Sequence, residues 1–346
     1  MAIKHLYIHL PFCHQFCQYC DFLRIHYDPK HVDQYLQLIK QEIKSKHIKN
    51  KLKTIYLGGG TPNALNFAQL TELGKSVKNL IDHKTEFTIE CNPEFISDEQ
   101  VAIFKKIGIN RVSLGTQIWD DQLLHKYGRN HTTQTVVKAV KILQSHQIKN
   151  ISLDFIYGFN DLTNKQILKG ILFAKTNAIK HLSFYALELK NSQLKQTNYV
   201  LNESLIEAQF KYIIKTLAKY GFMRYEVSNW CTDKQYQSQH NLAYWQTNEW
   251  YGIGWGAYGL EKRHYYVNEG SWNQWKMKSE YLSIKDYYFQ ILMMGLRLID
   301  GIDLRIKKNH DAYRFYQKKL QHIKIVNHHL CAENVNVLDT ILLDIL

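Results

Sequence analysis

Short β-type runs alternate with longer amphipathic segments from the N-terminus to about residue 190, and this alternation restricts the chain to repeated βα units around a parallel sheet. The strand candidates are Ile3 to Leu10, Thr54 to Leu57, Glu86 to Cys91, Arg111 to Gly115, Asn150 to Ile156 and His181 to Leu187. Between them lie the helical patterns Val32 to Lys46, Ala68 to Ile81, Ser97 to Ile107, Thr132 to Gln144 and Lys165 to Asn177, with Ser97 and Thr132 placed as N-caps. Periodicity alone does not separate a doubly wound sheet from a barrel. The motifs favour the barrel, because chemistry-bearing residues fall toward the carboxyl end of one strand after another, which is how a barrel assembles a single site. Beyond residue 200, a helix from Glu203 to Tyr220 leads into a strand-like Met223 to Ser228 and then an aromatic, glycine-rich region. The expected organisation is a main α/β body over 1–200, a closing segment over 201–282 and a small α+β module over 283–346.

The most specific chemistry lies in Cys13, Cys17 and Cys20, spaced C-x3-C-x2-C with no fourth cysteine nearby. Three thiolates on one short loop cannot close a four-ligand shell, so a metal or cluster held there keeps one position open. Burial as small core residues is one alternative, and a zinc site drawing on His9 or His14 is another. Gly58-Gly59-Gly60-Thr61-Pro62 follows the second strand; three glycines allow close backbone approach to a ligand and offer unblocked amides. Glu90, Gln117, Arg129 and Asp154 stand at or just beyond strand ends. Together they would suit a ligand carrying an amine, a carboxylate and ribose hydroxyls. His240 sits among Tyr225, Trp230, Tyr244, Trp245 and Trp255. It could ligate the metal of a flat macrocycle, although residue types alone favour a histidine bonded to a carbonyl.

Six cysteines in 346 residues are too few and too uneven for a disulfide framework, which points to a reducing compartment. No signal-peptide pattern opens the sequence, and no run reaches the roughly 20 apolar residues of a membrane span, so a soluble cytoplasmic protein is expected. The formal charge of +13 suits an anionic partner. Its lysines are scattered rather than gathered in an arm and no nucleic-acid-binding motif occurs, so no nucleic acid is expected; association with a membrane surface stays open.

Taken together, these residues resemble the radical S-adenosylmethionine superfamily, and within it the group containing oxygen-independent coproporphyrinogen III oxidase and the HemW haem chaperones. The resemblance implies a partial (βα)6 barrel, a [4Fe-4S] cluster on Cys13, Cys17 and Cys20, and S-adenosylmethionine chelating the fourth iron. It further implies that Tyr7 and Tyr19 line the cluster pocket and that Gly59, Gly60, Thr61 and Glu90 hold the methionine end of the cofactor. Gln117, Arg129 and Asp154 match positions that bind a second S-adenosylmethionine in the oxidase. Phe22 stands where the oxidase carries a further cysteine, and the oxidase's longer N-terminal extension is missing before the loop; both features are those of HemW. His240-Asn-x-x-Tyr-Trp245 resembles the HemW signature tied to haem binding and reverses the preference at His240. Gly158-Phe-Asn160 and the stretch Gly254 to Gly259 depart from that family's usual pattern. The implied function is capture of haem and its delivery to haem-requiring proteins. A coproporphyrinogen III decarboxylase is the alternative, and a zinc-stabilised nucleic-acid-binding protein a third reading.

Overall fold

A computed structural model describes residues 2–190 and 192–343. Six strands pair in parallel, each with the next: β1 His5–Leu10, β2 Thr54–Gly59, β3 Glu86–Cys91, β4 Arg111–Gln117, β5 Asn150–Tyr157 and β6 His181–Ala186. The helices between them are α1 Pro29–Ser45, α2 Phe67–Val77, α3 Asp98–Ile107, α4 Asp121–Lys126, α5 Thr133–Ser145 and α6 Asn164–Thr176. Local chemistry sets their ends. Ser97 caps α3 by accepting from the Gln100 amide, Gly108 ends it at φ 97°, and Thr132 caps α5 through Thr135.

Strand alternation divides the sheet into two faces. On β4, Val112, Leu114 and Thr116 are buried, while Ser113, Gly115 and Gln117 line an inner cavity. On β5, Leu153 and Phe155 join the apolar core while Asp154 and Ile156 line that cavity. Tyr56, Glu90 and Tyr185 continue the inner wall from β2, β3 and β6. A face so rich in polar side chains cannot pack as a solid layer. It lines a lumen, and the matching apolar face takes the helices.

The sheet extends past the six expected strands. After α7 Gln193–Gln196 and α8 Glu203–Lys219, the chain adds β7 Met223–Arg224 and β8 Asn229–Cys231; β8 runs antiparallel to both β6 and β7. The strand expected over Met223 to Ser228 is broken because the Ser228 amide turns back onto the Glu226 carboxylate at 3.1 Å. Following α9 Gln239–Trp245, β9 Tyr251–Ile253 returns to pair in parallel with β1. The nine-strand order is β9-β1-β2-β3-β4-β5-β6-β8-β7, whose end strands do not pair with each other, so the barrel is partial.

A three-stranded antiparallel sheet follows, β10 Tyr258–Glu261, β11 His264–Ser271 and β12 Gln274–Tyr281. Next come α10 Ile284–Gly295, β13 Ile302–Asp303, α11 Lys307–Tyr316, β14 Ile323–Val326 and β15 His329–Ala332. Leu292, Leu296, Ile302, Tyr316 and Leu330 gather there in an apolar cluster of their own. Among the described residues no helix is long and apolar enough to cross a membrane.

Candidate cofactor site

The cysteine loop leaves the carboxyl end of β1 and is tied down at several points. The Ile25 amide donates to the Pro11 carbonyl at 2.7 Å, Tyr27 to Cys13 at 2.9 Å, and Gln18 to Tyr127 at 3.2 Å. The Arg24 guanidinium donates to the Cys20 and Phe22 carbonyls and lies over the Phe16 ring. Cys13, Cys17 and Cys20 all line one cavity of about 450 Å³, within the roughly 300–1,000 Å³ range of small-molecule sites. Two donors face the sulfurs: Thr61 Oγ1 lies 3.5 Å from Cys13 Sγ and Arg129 Nη1 lies 3.4 Å from Cys17 Sγ. Burial pushes the Cys13 thiol up to about 11 and raises that of Cys20.

The glycine run meets the cysteine loop backbone to backbone. A Cβ on Gly60 would sit 2.8 Å from the Phe12 carbonyl oxygen, and one on Gly59, at φ 117°, 2.7 Å from the His9 ring. The amides are not free, contrary to expectation: Gly59 donates to Glu90 Oε2 at 3.0 Å, Gly60 to Leu10 at 2.8 Å and Thr61 to Phe12 at 2.9 Å. These glycines are needed because two loops touch there. Glu90 also accepts from Tyr56 at 2.8 Å, and burial, with Asp154 nearby, pushes its carboxyl up to about 7.

Gln117, Arg129 and Asp154 reach the same cavity. Gln117 sits at a bulge in the β4–β5 pairing with φ 64°, a left-handed conformation unusual for glutamine. Asp154 accepts from Ser113 at 2.6 Å and Ser152 at 2.7 Å. Arg129 is bonded to Asn92 at 2.8 Å, the Gly115 carbonyl at 3.2 Å and His131 Nδ1 at 3.3 Å, besides its contact with Cys17. Its cation therefore braces the cluster loop against β4, and of its five N–H groups only the second on Nη1 is left to meet a ligand.

Two expected residues lie elsewhere. Tyr7 is not in the cavity wall; its hydroxyl donates to His9 Nδ1 at 2.9 Å, and His9 Nε2 donates to the Leu23 carbonyl at 3.1 Å, so Tyr7 supports the loop from beneath. His240 is 1% exposed at the opposite, amino end of the strands, beside His5 and Thr54. Its Nδ1 lies 2.7 Å from Thr54 Oγ1 and its Nε2 2.7 Å from Tyr244 Oη. Both ring nitrogens are taken, and burial pushes the imidazole down to about 3. As folded, His240 does not fit a haem ligand.

The other two groups implied by the resemblance fit the residues present. Three cysteines face a cavity that no fourth protein thiolate closes from the same loop, and the Tyr19 hydroxyl is buried in its wall with no hydrogen-bond partner among the described residues. A single zinc ion fits less well. No three His, Cys, Asp or Glu among the described residues converge on one point, His9 is engaged as above, and His14 stacks on Tyr27 at 4.3 Å. Tyr56, Ser113, Arg24, Tyr185 and Lys190 also line the cavity and were not anticipated. Tyr56 and Ser113 carried a signal, since each shares the inward alternation of its strand.

The Radical SAM superfamily pattern matches residues 7–174. The haem chaperone HemW of Lactococcus lactis is 33% identical over 313 residues, covering 86% of this chain and 82% of that protein. HemW of Bacillus subtilis is 32% identical over 269 residues, covering 74% and 71%. In fold, the chain is similar to the coproporphyrinogen III oxidase HemN of Escherichia coli, with a TM-score of 0.83 at 17% identity, covering 99% of this chain and 90% of that one. On this similarity, carried by a barrel whose cysteine loop, glycine loop and strand-end carboxylates share one cavity, the chain belongs to the HemW family of the radical SAM superfamily.

Proposed function

We propose that this chain is a cytoplasmic haem chaperone that holds a [4Fe-4S] cluster on Cys13, Cys17 and Cys20, binds S-adenosylmethionine in the adjoining cavity, and delivers haem to haem-requiring proteins. The observation that carries the reading is that all three cysteines line the same cavity as Glu90, Gln117 and Asp154. When bound, a reduced cluster would supply the one electron that cleaves the sulfonium of S-adenosylmethionine. The chain's own residues supply the rest: Thr61 and Arg129 place donors on two sulfurs, and Glu90 and Asp154 offer carboxylates to an amine and hydroxyls. Phe22, 70% exposed at the cavity wall, stands where a decarboxylase of this group would have a cysteine. The haem assignment rests on the HemW relatives.

Anaerobic purification with iron, sulfide and haem analysis tests the reading. About four irons and four sulfides per chain are expected, as a [4Fe-4S] cluster requires, together with haem that passes to an apo-haem protein. Zinc without sulfide, or release of protoporphyrinogen from coproporphyrinogen, would overturn it. Haem titration of wild type against His240→Ala tests the ligand separately: equal affinity and unchanged spectra would place the iron's ligand elsewhere, consistent with both ring nitrogens being engaged.

A further inference from the structure

We infer that His181 is a positioning residue for the cofactor cavity, orienting the Ser152 hydroxyl onto the Asp154 carboxylate and so holding that carboxylate as an acceptor in the cavity wall. The inference rests on the proposed role of Asp154 as a contact for S-adenosylmethionine.

A continuous string of hydrogen bonds runs from the N-cap of α9 along the neighbouring strands β6 and β5 to Asp154. The Ser238 amide lies 3.2 Å from Tyr225 Oη, Tyr225 Oη lies 2.8 Å from His181 Nε2, His181 Nδ1 lies 2.8 Å from Ser152 Oγ, and Ser152 Oγ lies 2.7 Å from Asp154 Oδ1. Chemistry fixes both ends. A backbone amide only donates, and an ionised carboxylate only accepts. As a carboxylate, Asp154 takes the single Ser152 proton, so Ser152, which also has Ser183 Oγ at 3.2 Å, accepts from His181 Nδ1–H; the neutral ring then accepts at Nε2 from Tyr225, whose oxygen takes the Ser238 amide. His181 is therefore held as the neutral Nδ1–H tautomer.

Burial makes the string hard to replace. His181 is 1% exposed and Ser152 wholly buried, so water has no ready access to either. A barrel of this size could pack apolar side chains at these positions. Here the polar string ends on a residue of the cavity wall, where Ser113 satisfies the other carboxylate oxygen at 2.6 Å. Its far end is Ser238, the N-cap of α9, so the same bonds tie the helix carrying His240 to the cofactor cavity.

The test is a double-mutant cycle read by equilibrium binding of S-adenosylmethionine to cluster-reconstituted protein under anaerobic conditions. His181→Leu removes the donor, whereas His181→Asn keeps an amide N–H near the Nδ1 position. His181→Leu is expected to weaken binding about tenfold, the scale of one hydrogen bond to a charged group. His181→Asn should restore affinity to within about twofold, and in an Asp154→Asn background His181→Leu should add no further loss. Wild-type affinity in His181→Leu overturns the inference, as does a loss that persists in the Asp154→Asn background. Wild-type affinity in Asp154→Asn instead overturns the role of Asp154 on which it rests. If His181→Leu does not fold, Ser152→Ala removes the hydroxyl through which His181 acts on Asp154 and enters the same cycle.

Discussion

Arg129 Nη1 lies 3.4 Å from Cys17 Sγ while Nη2 of the same guanidinium holds Asn92 Oδ1 at 2.8 Å. One cation thus fixes a cluster-loop sulfur to the turn after β3. A donor and a positive charge beside a thiolate stabilise the more reduced, more negative form of a cluster. Arg129→Gln is expected to lower the cluster's reduction potential by about 60 mV, equivalent to about 1.4 kcal/mol for a one-electron couple. Anaerobic potentiometry followed by electron paramagnetic resonance measures it; an unchanged potential would show that the contact does not act on the cluster.

Gly60 is where the glycine loop and the cluster loop touch. Its missing Cβ would meet the Phe12 oxygen and the Pro11 carbonyl carbon at 2.8 Å, and neither backbone atom can swing aside. Gly60→Ala must therefore push the cysteine loop off β2. The expected outcome is loss of most iron on reconstitution, with stability lowered by about 1–3 kcal/mol, the cost of forcing an extra methyl into a packed contact. Iron binding at the wild-type level would show that the loop adjusts freely.

How far the sequence could be read depended on the length of the signal. Glu86 to Cys91 and the caps at Ser97 and Thr132 fall where periodicity and residue chemistry place them. A barrel could be anticipated because Glu90, Gln117 and Asp154 fall toward one strand end after another, whereas Tyr56 and Ser113, which share the inward phase of their strands, were not anticipated. β9 was missed because three residues, Tyr251–Ile253, are too few to show a period. Tyr7 pairs in register with Tyr56, which does line the cavity, but its hydroxyl is turned onto His9, a contact that the order of residues along the chain does not show. His240 follows the same logic. A short motif reveals that a histidine lies among aromatics but not which end of the barrel its helix packs against.

Glu226 is fully buried, its Oε1 has no hydrogen-bond partner among the described residues, and burial pushes its carboxyl up to about 7. The folded chain therefore holds this proton more tightly than the unfolded chain, where the group titrates near 4.5. Its contribution to stability is fully present below about pH 4.5, declines as pH rises to about 7, and is flat above that, a loss of about 3 kcal/mol at most. Glu90 titrates in the same window and adds its own decline. Glu226→Gln should make the fall shallower while leaving the part due to Glu90 and to Glu42, Glu86 and Asp154, whose carboxyls burial also raises. Urea denaturation of the metal-free protein across pH 4.5 to 8 measures both curves; parallel slopes would show that Glu226 does not titrate on unfolding.

His240 closes the amino end of the barrel. Thr54 Oγ1 lies 2.9 Å from His5 Nδ1 and 2.7 Å from His240 Nδ1, and His240 Nε2 continues the string to Tyr244. Its ring also stacks on Tyr56 with centroids 5.1 Å apart, so removing it strips polar partners and packing together. His240→Ala leaves the Tyr244 hydroxyl without its imidazole partner and opens a cavity among rings. The expected cost is about 2–4 kcal/mol, from an unsatisfied buried group and lost packing. His240→Phe should recover the packing share but not the hydrogen bonds, and so lie between the two. Denaturant midpoints of the three proteins without haem decide it: a His240→Ala variant as stable as wild type would mean that the bonds at the barrel floor do not hold the fold.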